Sequence, residues 1–261
     1  MSETSTDGSE PGQFRLHGAW NFRDTGGLRT SDGGHTRSGL LFRASALTHL
    51  TDEGRDTLAG LGVTDVFDLR GDAEVTRWGS DLAPDSVSVH RVPYIAAERD
   101  APHERAVPAT TARGYLDGAY RAFPTLPGAR VAIRSVVEAL SSGTPSLVHC
   151  AAGKDRAGWT VATVLRAAGV VEEDIVADYL RSNAAVTPLR RHIFDHDEVA
   201  PADLDDDLLG VREEYYRAGL EAMTAAHGSF DGYLDWLGLD RDAVTGLRRA
   251  LVDTSADQRP V

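Results

Sequence analysis

Compact apolar runs alternate with stretches of helical spacing along most of this chain. VTDVFDLR (63–70) is such a run bounded by turn residues, and it predicts a buried strand ending near Asp68 and Arg70. SVSVHRVPY (86–94) alternates at Val87 and Val89 and predicts the next strand, stopped by Pro93. In RVAIRSVVEAL, Ile133, Val136, Val137 and Leu140 recur at i, i+3, i+4 and i+7, the stripe of an amphipathic helix laid on a core. SSGTP then turns the chain into SLVHC, a short strand that delivers Cys150. RAGWTVATVLRAAG is apolar on most faces and predicts a central buried helix closed by Gly169. EEDIVADYLRSN places Ile175, Val176, Tyr179 and Leu180 on one side of a further helix. Strands alternating with helices predict an α/β fold with a mostly parallel central sheet flanked by helices.

The remaining segments are less regular. Residues 1–13 are rich in Ser, Glu, Asp and Gly and are expected to be a disordered tail, leaving 14–261 as one domain. From Leu16 onward, Gly pairs break short apolar pieces, which suits a small hairpin or an irregular entry. TDEGRDTLAGLG reads as a helix with Thr51 as N-cap and Gly60 and Gly62 as stops. Residues 95–112 show no period and read as a loop, followed by a short helix over 113–123. Residues 186–230 mix charge with Ile193, Phe194, Leu208, Leu209, Tyr215, Tyr216 and Leu220. An apolar underside with a charged outer face suits a peripheral helical pair packed on the core, with a helical lid over a site as the functional alternative.

Composition narrows the function classes. A net charge of −13 argues against a general nucleic-acid binder or a basic membrane-surface protein. An anionic substrate would have to be drawn in by a local positive site. No apolar run approaches the roughly 18 residues needed to span a bilayer. The start, MSETSTDGSEPGQ, has neither the basic residues nor the apolar core of a signal peptide. The expectation is a cytoplasmic monomer, with export by a signal-free route as the alternative. The single Cys excludes an intrachain disulfide, which fits a reducing compartment.

That Cys lies in LVHCAAGKDRAG (147–158), four residues before the only Lys, Lys154. Cys150 falls at the carboxyl end of a predicted strand, where ligands of open α/β sheets bind. The N–H groups of Ala151, Ala152, Gly153, Lys154 and Asp155, with the N-terminus of the following helix, can form an anion nest. Gly153 permits the close backbone approach, and Arg156 offers a planar fork matched to two phosphate oxygens. A thiol facing such donors is favoured as the thiolate, the form that attacks. Cys-x5-Arg between an apolar strand and an apolar helix, with an internal Gly and a preceding His, is a specific pattern. It predicts a thiolate aimed at a bound phosphoryl group, forming a phosphocysteine.

HCAAGKDRAG resembles the signature loop of Cys-dependent phosphatases, and its KDR is similar to that of the PtpB-type bacterial protein tyrosine phosphatases. AWNFRDTGG (19–27), GLLFRASAL (39–47), VTDVFDLR (63–70), DYLRSN (178–183) and GVREEYY (210–216) resemble segments of that family in the same order. The resemblance implies Cys150 as nucleophile, Arg156 as phosphate and transition-state ligand, and Asp155 as an acid that matters for activity. It implies substrates from phosphotyrosine to phosphoserine/threonine and phosphoinositides, Lys154 being a feature shared with phosphatases that accept the lipids. A helical lid is also implied.

Two positions depart from the pattern. Many such loops carry Ser or Thr after the Arg, whereas Ala157 stands here, which predicts slower breakdown of the phosphocysteine. The general acid is expected soon after the VPY strand end, where Ala96 stands; Glu98, Asp100, Asp155 and Asp68 are the candidates. Arg23 and Asp24, with Asp68 and Arg70, read as a buried charge network, structural or catalytic, and His149 as orienting the loop or stabilising the thiolate. The nine His residues show no metal-ligand spacing beyond His192 and His196, and DLDDD (203–207) reads as solvated surface, so no metal or cofactor is expected. The alternatives to a phosphatase acting on phosphorylated protein or phosphoinositide are a pseudophosphatase that captures phosphorylated ligands and, more remotely, a sulfur-transfer enzyme.

Overall fold

The computed structural model describes residues 16–94, 109–196 and 206–254. The first part holds β1 (Arg23–Asp24), β2 (His35–Thr36), β3 (Leu41–Ala44), α1 (Asp52–Gly60), β4 (Asp65–Asp68), α2 (Asp72–Trp78) and β5 (Ser88–Arg91). Then come α3 (Ala109–Ala122), α4 (Pro127–Ser141), β6 (Ser146–His149), α5 (Arg156–Ala168), α6 (Glu172–Leu180) and α7 (Val186–His196). The last part holds α8 (Asp206–Leu209), α9 (Glu213–His227), α10 (Phe230–Leu237), α11 (Arg241–Leu251) and β7 (Val252–Asp253).

Five strands form one sheet in the order β1-β3-β6-β4-β5. Only β1 is antiparallel to its neighbour; the other pairings are parallel. This is the mostly parallel, helix-flanked α/β sheet expected. Central β6 pairs with β3 and β4 so that Ala44, His149 and Asp68 lie level. The carboxyl ends of three strands therefore open at one place, directly before Cys150. Side chains alternate across the sheet as a pleat requires. Phe42, Ala44, Val66 and Leu147 pack with Leu58 of α1 on one face. Leu41, Phe67 and Val148 face the larger core built by α3–α6 and α9–α11.

Local signals hold where burial and capping agree. Thr51 caps α1 by accepting from the Gly54 N–H, and Gly169 ends α5 in the left-handed region at φ 89°. Helix α5 is buried on almost every residue, as a central helix should be. Strand β5 differs from its alternating pattern: it is the sheet edge, all four residues are exposed, and Val89 is among them. Helix α3 begins at Ala109, earlier than the expected 113. Residues 1–13 and much of the expected loop 95–112 lie outside the described residues.

The segment 186–230 divides in two. Helix α9 is part of the main core, with Tyr215, Tyr216, Ala218, Gly219 and Met223 buried. A side chain at Gly219 would come within 2.5 Å of the Trp159 ring, so this helix can dock only with a glycine there. Leu189 of α7 and Leu209 of α8 instead pack on Ala152 of the loop after β6. Residues 197–205 between them lie outside the described residues.

Candidate active site

The loop after β6 is shaped from behind. The Ala46 N–H donates to the Ala151 carbonyl at 3.0 Å. Asn21 Nδ2 donates to the carbonyls of Ala152 (3.2 Å) and Gly153 (3.0 Å). Arg43 Nη2 donates to the Gly153 carbonyl at 2.7 Å and the Lys154 carbonyl at 3.3 Å. In a planar trans peptide the N–H of the next residue points opposite to the carbonyl. Four carbonyls held on one side therefore turn the N–H groups of Ala152, Gly153, Lys154 and Asp155 to the other. Among the described residues none of these N–H groups finds a protein acceptor. Gly153 sits at φ 70°, and a Cβ there would lie 2.1 Å from the Ala44 carbonyl oxygen, so no other residue fits without a shift of backbone. The thirteen-residue α5 then adds the positive end of its dipole.

The brace behind the loop is ionic. Arg23 and Arg43 both pair with Asp178, at 2.6 and 2.9 Å, with all three side chains buried. Arg23 also holds the side-chain oxygen of Asn21 at 2.5 Å. Asn21 is the one non-glycine residue with positive φ among the described residues, at 55°. Burial alone would push the Asp178 carboxyl up, but the two guanidinium groups outweigh it and hold it at about 2. Burial, with Arg43 adding to it, lowers Arg23 to about 10 against the pull of Asp178. Arg23 thus braces the loop from outside. Its expected companion Asp24 goes elsewhere, accepting from the N–H groups of Gly26 and Gly39 in a turn.

Cys150 is a buried free thiol, 2% exposed, directly after the central strand. Arg156, the first residue of α5, is gripped by Glu74 of α2 through two parallel bonds of 2.5 and 2.6 Å. Glu74 in turn accepts from the Gly71 N–H at 2.7 Å, which fixes the carboxylate at the start of its own helix. Burial disfavours the Arg156 charge, yet Glu74 and then Cys150 raise its pKa further above the ordinary arginine value.

Lys154 departs from the expected charge beside the phosphate. Its ammonium donates to Asp155 (2.9 Å), to the Leu208 carbonyl (2.9 Å) and to the Gly210 carbonyl (3.1 Å). An ammonium has three N–H donors, and all three have acceptors here. The side chain ties the loop to the end of α8, while its backbone N–H remains with the nest. Asp155 is also fixed by Tyr120, whose hydroxyl donates at 3.0 Å and accepts in turn from Tyr179 at 2.8 Å.

Asp68 and Arg70, expected in a charge network with Arg23 and Asp24, instead meet His149 at the carboxyl end of the sheet. Arg70 donates to both oxygens of Asp68 at 2.9 Å and reaches Asp81 at 3.0 Å. His149 Nε2 lies 2.8 Å from Asp81. Asp68, Asp81 and His149 lie close enough to hold a cation, but the Arg70 guanidinium already occupies both carboxylates. Burial opposes a charged His149, but Asp81 and Asp68 overcome it and raise its pKa above the ordinary value.

The geometry thus gathers Cys150, the loop Ala151–Asp155, Arg156, His149, Asp68 and Arg70 at one end of the sheet, with Arg23 behind. Glu98, Ala96 and Asp100 lie outside the described residues. Sequence reasoning missed Glu74, Asp81, Asn21, Arg43, Asp178 and Tyr120. Glu74 looks like any acid in the first turn of a helix, and Arg43 and Asp178 lie in family-like segments without showing that they pair.

Residues 14–253 match the tyrosine phosphatase family. The chain is 41% identical to the triple specificity protein phosphatase PtpB of Mycobacterium tuberculosis, across 91% of this chain and 98% of that one. A Cupriavidus necator protein provisionally named a tyrosine-protein phosphatase is 30% identical, across 82% of this chain and 80% of that one. A tyrosine-protein phosphatase of Nostoc commune is 28% identical, across 79% of this chain and 72% of that one.

Proposed function

The chain belongs to the tyrosine phosphatase family, and from that membership we propose that Cys150 is the nucleophile of a two-step phosphate-monoester hydrolysis. The Cys150 sulfur attacks phosphorus in line, the S–P bond forms, and the ester P–O bond breaks. The leaving oxygen takes a proton from the general acid. Water then gives a proton back to that acid as it attacks phosphorus, the S–P bond breaks, and inorganic phosphate leaves with the thiolate restored. Arg156 and the N–H groups of residues 152–155 hold the equatorial oxygens, where charge grows in the transition state. The observation that carries this reading is the row of loop carbonyls held from behind, which turns those N–H groups together. Asp155, an acceptor of both Tyr120 and Lys154, serves as a positioning residue for the loop.

Phosphotyrosine is the first substrate, with phosphoserine/threonine and phosphoinositides following. The printed name of the Mycobacterium relative, a triple specificity phosphatase, supports that breadth. Among the described residues no helix is long and apolar enough to cross a membrane, so lipid substrates would be met at a membrane surface. Turnover of p-nitrophenyl phosphate by the wild type, abolished in Cys150→Ser, tests the chemistry. Retained phospholigand binding without Cys150-dependent turnover would instead identify the capture module. A panel of phosphotyrosine peptide, phosphoserine peptide and phosphoinositide then ranks substrates. Because the Lys154 donors are committed within the protein, Lys154→Ala is expected to lower peptide and lipid turnover alike. A loss confined to the lipid would show the ammonium reaching the headgroup.

A further inference from the structure

Before the nucleophile lies a buried charge cluster, Asp68, Arg70, Asp81 and His149, whose side chains are 1% exposed or less. Both nitrogens of the His149 ring face acceptors. Nδ1 lies 3.1 Å from the Cys150 carbonyl oxygen, which can only accept. Nε2 lies 2.8 Å from Asp81 Oδ2. The other oxygen of Asp81 accepts from Arg70 at 3.0 Å and from the Leu47 N–H at 3.1 Å, so this group is bound as a carboxylate. A neutral imidazole has one N–H and could satisfy only one of its two partners. A doubly protonated ring satisfies both.

We propose that Asp81 is a positioning residue of this phosphatase: it holds His149, the residue before the nucleophile, as an imidazolium whose Nδ1–H fixes the Cys150 carbonyl. This rests on Cys150 being the nucleophile. Asp81 comes from the segment after α2, not from the strand ends that carry the rest of the site. The groups facing His149 are Asp68 and Arg70 at the end of β4, Asp81 itself, and Cys150 next in the chain. Arg91 of β5 reaches the far oxygen of Asp68 at 3.5 Å. Arg70 and burial both press the ring toward neutrality, and Asp81 leads the groups that oppose them.

The test is ring-nitrogen NMR of His149 in the full-length protein, with the pH profile of kcat/KM beside it. In the wild type both ring nitrogens should stay protonated above the ordinary histidine value of about 6.5. In Asp81→Asn, which keeps the shape, the ring should become singly protonated by neutral pH, since a nearby opposite charge moves such groups by about 1 to 3 pH units. The acidic limb of kcat/KM should move up by about one pH unit, a loss of about tenfold at about pH 6, while Asp81→Glu should restore much of it. A singly protonated wild-type ring at neutral pH, or an unchanged ring in a folded Asp81→Asn, overturns the proposal. An unchanged pH profile despite a neutralised ring overturns its catalytic half. The wild-type spectrum decides even where the variant does not fold. It is also independent of activity, so an inactive wild type would sink the assignment of Cys150 without touching the reading of the ring.

Discussion

The grip of Glu74 on Arg156 gives the sharpest quantitative test of the site. Glu74→Gln keeps the side-chain length and one acceptor for the Gly71 N–H but removes the charge and half of the two-bond fork. Breaking a buried ion pair costs about 3–5 kcal/mol when one charge is left uncompensated. Here the Arg156 side chain retains 12% exposure and Glu74 only 2%, so the stranded guanidinium keeps some access to water. The lower end, about 3 kcal/mol, is therefore expected. For a chain of this size that corresponds to a fall of about 6–12 °C in Tm. Activity should fall further than stability implies. A misplacement of about 1 Å at a reacting centre can cost about 100-fold, and Glu74 is what fixes the plane of the Arg156 fork. The two effects separate with a phosphate-like anion. A bound dianion replaces the missing counter-charge, so orthovanadate should recover more Tm in Glu74→Gln than in wild type, while kcat stays low. Thermal melts with and without vanadate, and steady-state p-nitrophenyl phosphate kinetics, supply both readouts. A kcat/KM within threefold of wild type, or equal vanadate shifts in both proteins, would refute the positioning role of Glu74.

Gly153→Ala should reduce activity by about 100-fold or more, because its Cβ would meet the Ala44 carbonyl at 2.1 Å and bend the nest; near-wild-type kinetics would contradict the loop geometry. Ala157→Ser restores a hydroxyl at a fully buried position in the first turn of α5, so the burst of p-nitrophenolate should shrink and steady-state turnover rise by about tenfold, the worth of one hydrogen bond to a charged group. An unchanged burst would mean that breakdown of the phosphocysteine does not wait on that hydroxyl. The Asp178 carboxyl lies at about 2 in the fold, against 3.8 for the ordinary group. A depressed acid stabilises the protein above its unfolded value, so about 2 kcal/mol is present at neutral pH and is lost as pH falls from about 4 through 2. Urea midpoints across that window should fall, and Asp178→Asn, less stable at neutral pH, should show a shallower acid slope.

Much of the scaffold was legible because burial leaves a periodic trace. The stripe of Ile133, Val136, Val137 and Leu140 marked the buried face of α4, and the all-round apolar text of 156–168 marked α5 as central. Edges were less legible: Val89 alternates like a half-buried residue, yet among the described residues no strand pairs with β5 on its outer side, and Val89 is exposed. The charged text of 186–230 also concealed two fates. Gly219 lets α9 press onto Trp159 in the core, while Leu189 and Leu209 meet Ala152 in the loop after β6.

The sequence alone determined where the loop of the proposed nucleophile stands, because Cys150, Gly153 and Arg156 fall between one strand and one helix and depend on local backbone geometry. Only the tertiary structure decided what surrounds them. Glu74 grips Arg156 from 82 positions away, Asn21 reaches Gly153 across 132, and Arg43 meets Asp178 across 135. Lys154, beside the phosphate by sequence, is turned away by three acceptors, two of them carbonyls more than fifty residues on. Periodicity and spacing record which face of an element is buried. The partner of a buried charge is chosen by where distant elements cross, and that is set by the packing of the whole core.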